Sequence, residues 1–387
     1  MKFKYICTNC GEEYETNDIM YLCPKCSATN ESNHPPKGVL KVIYNYDKIK
    51  KNFEEFETTG FIDLLPIRDL ASMPNLKVGN TPLYEYEFQN EGASIGLFIK
   101  DDSQNPTYSF KDRASALVTA FAKEKEIDTI VAASTGNAGS SLAGLCAAQQ
   151  QKAIIYVPKS APKAKLTQIR MYGAELVEVD GNYDKAFDMS IAATKENGWY
   201  NRNTAYNPLT IEGKKTVSFE IASQMRDEMP DRIFAPVGDG VIISGVYKGF
   251  EDLLKLGLIE KIPTIVAVQA EGSNNLIANM DTDEFTFESS QTIADSISVD
   301  IPRNFYMARD FLKKYKGETH EVSDRDILKA SQLLSQYTGL FAEPAAAAAF
   351  AGFVDYFQEG ITKDGSKNLV LLTGSGLKDI AAVEDLF

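Results

Sequence analysis

Residues 129–141 read TIVAASTGNAGSS, a short β-branched run that passes through small and hydroxyl-bearing residues into a helical pattern. In open α/β sheets, turns of this kind lie at the carboxyl ends of parallel strands, where ligands bind. Small residues let the backbone approach a ligand, and the start of the following helix offers unpaired N–H groups. The segment therefore indicates an α/β fold with a turn suited to a carboxylate.

Apolar runs and amphipathic segments alternate along the rest of the chain. The helical patterns lie at 109–125, 138–151, 184–197 and 214–226. The expected strands are 97–100, 129–133, 153–157, 176–179, 233–236, 265–269 and 369–372. Strands that alternate with helices predict a parallel sheet covered by helices on both faces.

The overall composition excludes several classes of function. The chain has 387 residues, with 40 basic and 54 acidic side chains and a net charge of −14. This length suggests two or three domains, and the acidic balance predicts no binding to nucleic acid or to an anionic membrane surface. The chain has two histidines, His34 and His320, so catalytic imidazoles and polyhistidine metal sites are disfavoured.

Targeting signals are also missing from the sequence pattern. No apolar run approaches the roughly 20 residues of a membrane span. The first residues, MKFKYICTNCGEE, lack the apolar core of a signal peptide. We therefore expect a cytoplasmic protein that does not enter the membrane.

Four of the five cysteines form two CxxC pairs near the N-terminus, namely Cys7, Cys10, Cys23 and Cys26. Two such pairs are the ligand set of a zinc ribbon, in which four thiolates close the tetrahedron of the metal and leave no open position for catalysis. Two disulfides are the alternative, although cytosolic proteins rarely keep them. The remaining cysteine, Cys146, lies in an apolar segment and is expected to be a buried packing residue.

Two further segments resemble the first in pattern. Residues 236–245 read PVGDGVIISG and residues 372–379 read LTGSGLKD, each after an expected strand. Successive backbone N–H groups in the former would suit a phosphate without any basic side chain. The glycine spacing differs from GxGxxG, and no GxxxxGK[ST] pattern occurs. Three such loops on one chain predict a shared pocket at the carboxyl ends of the strands.

A fourth segment, residues 105–113, reads NPTYSFKDR and leads into a helix. Taken alone, its Ser109 is a helix cap and its charged residues are a solvated surface. In chain order, however, it is followed by STGNAGSS, EGKKT, the PVG loop, EPA and TGSGLKD, all behind the paired cysteines. This order of motifs resembles the threonine synthase family, whose members are pyridoxal-phosphate enzymes of fold type II. The resemblance covers nearly the whole chain.

The resemblance implies an α/β fold of two parallel-sheet domains with an N-terminal zinc-ribbon module. The ribbon would span 1–38, the large cofactor domain 39–114 and 207–387, and the small domain 115–206. The active site would lie in the cleft between the two α/β domains. It also implies a small-molecule amino-acid substrate and is compatible with a homodimer.

The roles of individual residues follow from the same resemblance. Lys111 would bind the cofactor aldehyde through its amine and act as the catalytic base. The other cofactor-binding residues would be Asn137 at the phenolic oxygen, the backbone of Gly238, Asp239, Gly240, Val241 and Ile242 around the phosphate, and Thr373 or Ser375 at the pyridine nitrogen. The substrate-binding residues would be Ser134, Thr135, Asn137, Ala138, Asn203 and Thr204.

The implied reaction converts O-phospho-L-homoserine and water to L-threonine and phosphate by γ-elimination and β-addition. Several residues depart from the family pattern. Tyr108 would narrow the pocket, Asp239 is tolerable beside a phosphate only if its carboxylate turns away, and Ser375 stands where histidine is usual. Two departures concern the substrate phosphate, since Ala138 replaces a threonine and Thr210 replaces an arginine.

Other activities therefore stay open. Residues 292–299 read TIADSISV and resemble a stretch of threonine and serine dehydratases. A diaminopropionate ammonia-lyase and a phosphoserine-using enzyme similar to cysteate synthase are further alternatives. For the phosphate-bearing substrate, Arg202, Lys214 or Arg303 would have to supply the missing cation. A catalytically silent cofactor-binding protein is disfavoured because the SFKDR segment is intact.

Overall fold

The computed structural model describes residues 2–16, 18–90, 93–161, 163–226 and 228–386. Its strands are β1 (Phe3–Cys7), β2 (Glu13–Tyr14), β3 (Leu40–Tyr44), β4 (Leu83–Asn90), β5 (Ala93–Asp101), β6 (Thr129–Ala133), β7 (Lys152–Pro158), β8 (Glu175–Val179), β9 (Tyr200–Asn201), β10 (Arg232–Pro236), β11 (Thr264–Ala270), β12 (Glu318–Val322) and β13 (Lys367–Leu372).

The helices alternate with these strands through most of the chain. They are α1 (Pro24–Ser27), α2 (Phe53–Thr58), α3 (Lys111–Glu124), α4 (Asn137–Gln149), α5 (Lys163–Met171), α6 (Tyr183–Asn197), α7 (Leu209–Lys214), α8 (Thr216–Gln224), α9 (Val241–Lys255), α10 (Asn275–Ala278), α11 (Phe305–Lys314), α12 (Asp324–Thr338) and α13 (Pro344–Gln358). No helix among the described residues is long and apolar enough to cross a membrane.

The larger sheet has six strands in the order β12-β11-β10-β13-β5-β4. Its pairs are parallel except for β4 with β5, so the sheet is mixed at one edge. The central strands β10 and β13 are almost entirely buried apolar runs, as expected for parallel strands covered on both faces. The expected α/β fold is confirmed.

The smaller sheet has four parallel strands in the order β8-β7-β6-β9. All four lie between residues 129 and 201, inside the segment predicted to form the small domain. Helix α4 packs against β6 and β7 through a buried face of small residues. The domain limits given above stay a prediction.

The N-terminal sheet is antiparallel, in the order β2-β1-β3, and it carries the paired cysteines. Its third strand, Leu40–Tyr44, follows the Pro-Pro segment, so this sheet continues past residue 38. The strand β3 brings Tyr44 against helix α7, where the Tyr44 hydroxyl donates to Glu212 Oε2 at 2.6 Å. The N-terminal module is thereby bonded to the larger part of the fold.

Helix α13 sets the position of the third glycine-rich loop. Its first half is a run of fully buried alanines, residues 345–349, that packs on β10 and β13. Alanine side chains allow the helix to approach the sheet closely. The residue before the helix, Glu343, is therefore brought to the carboxyl end of β13, beside the loop that begins at Thr373.

Candidate active site

Lys111 is the first residue of α3, and the segment before it is bonded to the third glycine-rich loop. The amide of Phe110 donates to Thr373 O at 2.9 Å, and the amide of Ser375 donates to Tyr108 O at 3.1 Å. These two bonds hold the start of α3 at the carboxyl end of β13. The lysine segment and the third loop thus form one surface.

The charges that follow Lys111 are buried, in contrast to the solvated surface that the segment suggests when taken alone. Asp112 is fully buried, and the guanidinium of Arg113 pairs with Asp102 at 2.5 Å and with Glu220 at 2.6 Å. Because these partners come from other segments, they fix the direction in which α3 begins. The positioning of Lys111 therefore depends on its neighbours in the SFKDR segment.

The Lys111 ammonium has no hydrogen bond or ion pair with any residue that the structure describes. Burial lowers the pKa of Lys111, and the nearby charge of Arg202 lowers it too. The carboxylates of Glu343 and Asp239 act in the opposite direction without reversing the shift. A lysine whose neutral form is favoured, and which is not held in an ion pair, is suited to nucleophilic attack on a carbonyl.

The first glycine-rich loop presents free backbone amides at the start of α4. The amides of Thr135, Asn137 and Ala138 have no acceptor in the described parts of the chain. The turn is tight, since a Cβ at Gly139 would lie 2.5 Å from Ser134 O. With the hydroxyls of Ser134 and Thr135 at its edge, the loop fits a carboxylate.

Asn137 connects this loop to two distant segments. Its side-chain Nδ2 donates to Glu343 Oε1 at 2.9 Å, to Glu343 Oε2 at 3.0 Å and to Ser296 Oγ at 3.2 Å. Ser296 belongs to the TIADSISV stretch. Neither acceptor was among the site residues expected from the sequence. The EPA motif, directly before a run of alanines, was the signal that pointed to Glu343.

The second glycine-rich loop forms a nest of amides. The five successive amides of residues 238–242 have no acceptor among the described residues, and the first bond inside α9 runs from Ser244 N to Gly240 O at 3.1 Å. The φ of Gly240 is +79°, which favours glycine, and a Cβ at Gly238 would lie 2.9 Å from Ile297 Cα. Position 238 therefore has no room for a side chain, and the free amides of the nest fit a phosphate.

Asp239, the acid inside this nest, is bonded to the 303–304 segment. Its Oδ1 accepts from Arg303 N at 3.2 Å, and its carbonyl oxygen accepts from Asn304 N at 2.9 Å. The bond to a backbone amide draws the carboxylate toward that segment. An acid at this position is thereby accommodated by the fold.

The third loop contains the two hydroxyls expected near a pyridine nitrogen. Ser375 Oγ accepts from Leu377 N at 3.3 Å and so caps the following turn. Thr373 is buried, and its hydroxyl forms no hydrogen bond with the described residues. Between them, a Cβ at Gly374 would lie 2.4 Å from a Glu343 oxygen. Thr373 is thus the hydroxyl that is free for a ligand.

Two polar atoms near Lys111 are buried without a partner. They are Ser109 Oγ and Arg202 Nη2. Buried polar atoms in folded proteins are almost always hydrogen-bonded, so orphaned ones indicate a missing ligand or water. These two atoms therefore indicate that a polar ligand binds beside Lys111. The free amides of the second loop fit the phosphate of a cofactor such as pyridoxal phosphate.

The two other expected substrate-binding residues lie on the segment after β9. Asn203 is used by the fold, since its Oδ1 accepts from Ala133 N and its Nδ2 donates to Ser190 Oγ, both at 2.7 Å. Its side chain therefore holds the end of β6. The hydroxyl of Thr204 accepts a long hydrogen bond of 3.4 Å from Lys214 Nζ.

Tyr108, the residue expected to narrow the pocket, is 52% exposed. Its φ of +68° places it in the left-handed region, which is unusual for a tyrosine. Its carbonyl oxygen, rather than its ring, makes the contact to the third loop.

The four N-terminal cysteines converge. Their sulfur atoms all lie within 4.8 Å of one another, with Cys7–Cys26 and Cys10–Cys23 separations of 3.8 Å. A disulfide requires about 2.05 Å, so these pairs are not bridged. A tetrahedron with metal–sulfur bonds of about 2.3 Å has edges of about 3.8 Å. The cluster therefore has the dimensions of a four-cysteine zinc site.

The chain matches a known family over most of its length. The model for pyridoxal-phosphate dependent enzymes matches residues 75–374. The threonine synthase of Methanocaldococcus jannaschii is 33% identical over 385 residues, which cover 96% of this chain and 92% of the relative. The threonine synthase of Halalkalibacterium halodurans is 35% identical over 82% of this chain and 88% of the relative.

Solved structures share the fold at lower identity. The diaminopropionate ammonia lyase of Escherichia coli has a TM-score of 0.68 at 16% identity, covering 81% of this chain and 89% of that one. The processed threonine deaminase isoform 2 of Solanum lycopersicum has a TM-score of 0.65 at 21% identity, covering 76% and 82%. At these identities the similarity supports the fold alone.

Proposed function

The chain belongs to the family of pyridoxal-phosphate dependent enzymes, and from this premise we propose that it is a threonine synthase-like lyase. In this proposal it converts O-phospho-L-homoserine and water to L-threonine and phosphate. Threonine synthases that are 31–35% identical support this activity. One structural observation carries the proposal: a partly buried lysine without an acidic partner lies among loops whose amides lack acceptors.

Different loops would bind different parts of the cofactor. When bound, pyridoxal phosphate supplies an electron-withdrawing ring system that makes the C–H bonds next to the substrate amine acidic. The amides of residues 238–242 would hold its phosphate, and the Thr373 hydroxyl would reach its pyridine nitrogen. Because a hydroxyl does not stabilise a protonated ring nitrogen as a carboxylate does, this arrangement favours elimination over transamination.

The substrate is handled by Lys111 and the first loop. The free amides of Thr135, Asn137 and Ala138 would bind its carboxylate. The Lys111 amine would take protons from Cα and Cβ, and phosphate would leave Cγ with the bonding electron pair. Cγ and Cα would each receive a proton in return, water would supply the hydroxyl at Cβ, and the remaining proton of that water would go to the released phosphate. The lowered pKa of Lys111 supports this role, because a general base must be unprotonated to accept a proton.

We also propose that the four cysteines hold a structural zinc ion. All four ligand positions would be sulfur, which leaves no open position for a substrate. The proposal rests on the spacing of the sulfurs and on the antiparallel sheet that carries them. Metal analysis should find one zinc ion per chain.

A dehydratase is the second candidate, and one contact favours it. Ser296, from the dehydratase-like TIADSISV stretch, accepts a hydrogen bond from Asn137. Thr210 also stands where the pattern of the threonine synthase family, as the resemblance implies it, has an arginine. Such an enzyme would release ammonia and a 2-keto acid from free threonine or serine.

Experiments on the purified enzyme test both the cofactor and the reaction that we propose. We expect a yellow protein that borohydride bleaches, with added mass on the peptide that contains Lys111. A colourless protein that cannot be reconstituted would refute the cofactor. For the reaction, equal amounts of threonine and inorganic phosphate should form from O-phosphohomoserine. Ammonia and a keto acid from free threonine, with no phosphate release from O-phosphohomoserine, would instead establish the dehydratase.

A further inference from the structure

Arg202 is a buried cation without a counter-ion. Its side chain is 1% exposed, its Nε donates to Ser115 Oγ at 3.2 Å, and its Nη2 has no partner. No carboxylate among the described residues forms an ion pair with it. A buried guanidinium in this condition is unfavourable unless a ligand completes its hydrogen bonds.

Lys214 is likewise buried without a carboxylate partner among the described residues. Its side chain is fully buried, and its Nζ makes only the long hydrogen bond to Thr204 within the described chain. Burial lowers its pKa far below the usual value, and the charges of Arg202 and Lys111 lower it as well. The charged forms of Lys214, Arg202 and Lys111 therefore disfavour one another.

Other buried basic side chains among the described residues differ from Arg202 and Lys214, because they form ion pairs with carboxylates. Lys215 pairs with Asp252 at 2.8 Å, Lys248 pairs with Asp252 at 2.5 Å, and Lys100 pairs with Glu220 at 2.7 Å. Cations that hold the fold together are thus neutralised by carboxylates. The two unpaired cations beside Lys111 are an exception that a bound anion would explain.

Lys214 is also close in sequence to Thr210, the position at which the family pattern has an arginine. Lys214 is four residues after Thr210 on α7, hence one turn further along the same helix face. Arg202 follows β9 and lies beside the segment that carries Thr204. Arg303, in contrast, pairs with Asp184 and stacks over the ring of Phe187 at 4.0 Å.

We infer that Arg202 and Lys214 together form a subsite for the phosphate of the substrate. This inference rests on the proposed function and deepens it, because it assigns the substrate class to particular side chains. Two cations supply the charge that one arginine at position 210 would have supplied. The cofactor phosphate is a second source of the same chemistry, but the five free amides of residues 238–242 already provide for it.

The test uses the cofactor-loaded enzyme and inorganic phosphate as the probe. In the wild type, phosphate should inhibit competitively and raise the melting temperature. Arg202→Gln and Lys214→Gln should each raise KM for O-phosphohomoserine and the phosphate inhibition constant about 10- to 100-fold, the range for a lost charge-assisted hydrogen bond. Arg303→Gln is the matched control and should leave both constants within about 2-fold, since the pair it breaks is partly exposed.

Thermal stability separates a binding role from a structural one. Because the Lys214 amine is buried without a carboxylate partner among the described residues, Lys214→Gln should melt at the same or a higher temperature than the wild type without phosphate. It should also lose the phosphate-dependent rise. If phosphate neither inhibits nor stabilises the wild type, the inference is wrong, whatever the variants do.

Three outcomes separate the inference from its premise. If the wild type makes threonine while both variants keep its KM and inhibition constant, the subsite is refuted and the function stands. If the wild type makes no threonine but binds phosphate through both residues, the function fails and the subsite stands. If the variants lose affinity for the cofactor while the phosphate inhibition constant is unchanged, the cations serve the cofactor and the inference is refuted.

Discussion

Glu343 accepts hydrogen bonds from the Asn137 side chain on both of its carboxylate oxygens, at 2.9 and 3.0 Å. The two residues are 206 positions apart, and the bond joins the first loop to the residue before α13, whose own amide donates to Gly374 O in the third loop. With Nδ2 donating to Glu343 and Ser296, the orientation of the Asn137 amide is set from outside its own loop. Glu343 thereby acts as a positioning residue for the amide expected to contact the phenolic oxygen of the cofactor.

Replacing Glu343 should disturb the cofactor more than the fold. Glu343→Ala removes both acceptors of the Asn137 amide, and we expect kcat to fall about 10-fold or more, in line with the loss of a buried hydrogen bond. The visible band of the bound cofactor should shift, because the ionisation of its phenolic oxygen depends on Asn137. Glu343→Gln keeps one acceptor and should retain most of the activity.

The control for this prediction lies on the same helix. Glu359→Gln, at the exposed end of α13, should change neither kcat nor the absorption spectrum. An Ala variant of Glu343 with an unchanged spectrum and wild-type kcat would show that Asn137 is oriented by other groups.

The sequence predicted the parts of the fold that depend on local pattern. All seven expected strands are present, because each is a β-branched or apolar run that parallel sheets bury. Six of the described strands were missed. Leu83–Asn90 and Glu318–Val322 are edge strands with polar residues on one face. The others are Tyr200–Asn201, which has two residues, and the three strands of the N-terminal sheet. The expected helix at 214–226 is present as α8 (Thr216–Gln224), while Lys214 is the last residue of α7.

The sequence indicated the parts of the candidate site that lie in local motifs, and the roles of those residues stay predictions. It gave little signal for contacts between residues that are far apart in the chain. The second and third loops lie close together because they follow β10 and β13, neighbouring parallel strands that present their carboxyl ends at one edge of the larger sheet. The first loop follows β6 of the smaller sheet, and the bond from Asn137 to Glu343 connects it to that edge. Glu343 and Ser296 reach Asn137 only through the packing of α13 and of the loop before α11. The burial of Arg202 and Lys214 likewise depends on tertiary packing, which the spacing of residues in the sequence does not predict.

A buried ion network should contribute strongly to stability. Asp252 pairs with Lys215 at 2.8 Å and with Lys248 at 2.5 Å, and all three side chains are fully buried. Asp252→Asn leaves two buried cations short of a partner and should lower the free energy of unfolding by about 3–5 kcal/mol. Chemical denaturation measures this change.

The exposed pair between Lys152 and Glu175 provides the comparison. Its ions are 2.7 Å apart, but both side chains are about half exposed. Glu175→Gln should therefore change the free energy of unfolding by less than about 1 kcal/mol. Equal effects of the Asp252 and Glu175 substitutions would contradict the assignment of the buried network as a structural element.

The cysteine cluster should influence the substrate site through Tyr21. The Tyr21 oxygen accepts from Asn201 N at 2.9 Å, and its ring stacks on Tyr206 at 4.5 Å. These contacts hold the segment that carries Arg202. Removing zinc with a chelator should therefore raise KM for the phosphate-bearing substrate while most of the cofactor stays bound.

Tyr21→Ala should reproduce the effect of zinc removal. If the ribbon acts through this side chain, the chelator should add little to the KM of the variant, because coupled changes are not additive. Tyr21→Phe keeps the stacked ring and should have a smaller effect. Loss of the cofactor together with the zinc would contradict a purely structural ribbon.

The pH dependence of anion binding should report the protonation of Lys214. The pKa of Lys214 is lowered, so its ammonium form is populated only below that shifted value. Sulfate is a suitable probe because it stays dianionic across the range. Binding of sulfate to the cofactor-loaded enzyme should strengthen as the pH falls through this pKa and then level off.

The groups that face Lys214 are Arg202 and Lys111, which repel its charge, and Asp239, which attracts it. The pKa of Arg202, about 10 because of burial, keeps that residue charged below pH 9 or so. Lys214→Arg, which stays protonated, should therefore bind sulfate with little dependence on pH. Lys214→Gln should bind weakly at every pH. A wild-type profile as flat as that of Lys214→Arg would mean that Lys214 is charged throughout and that its burial is relieved by groups other than the anion.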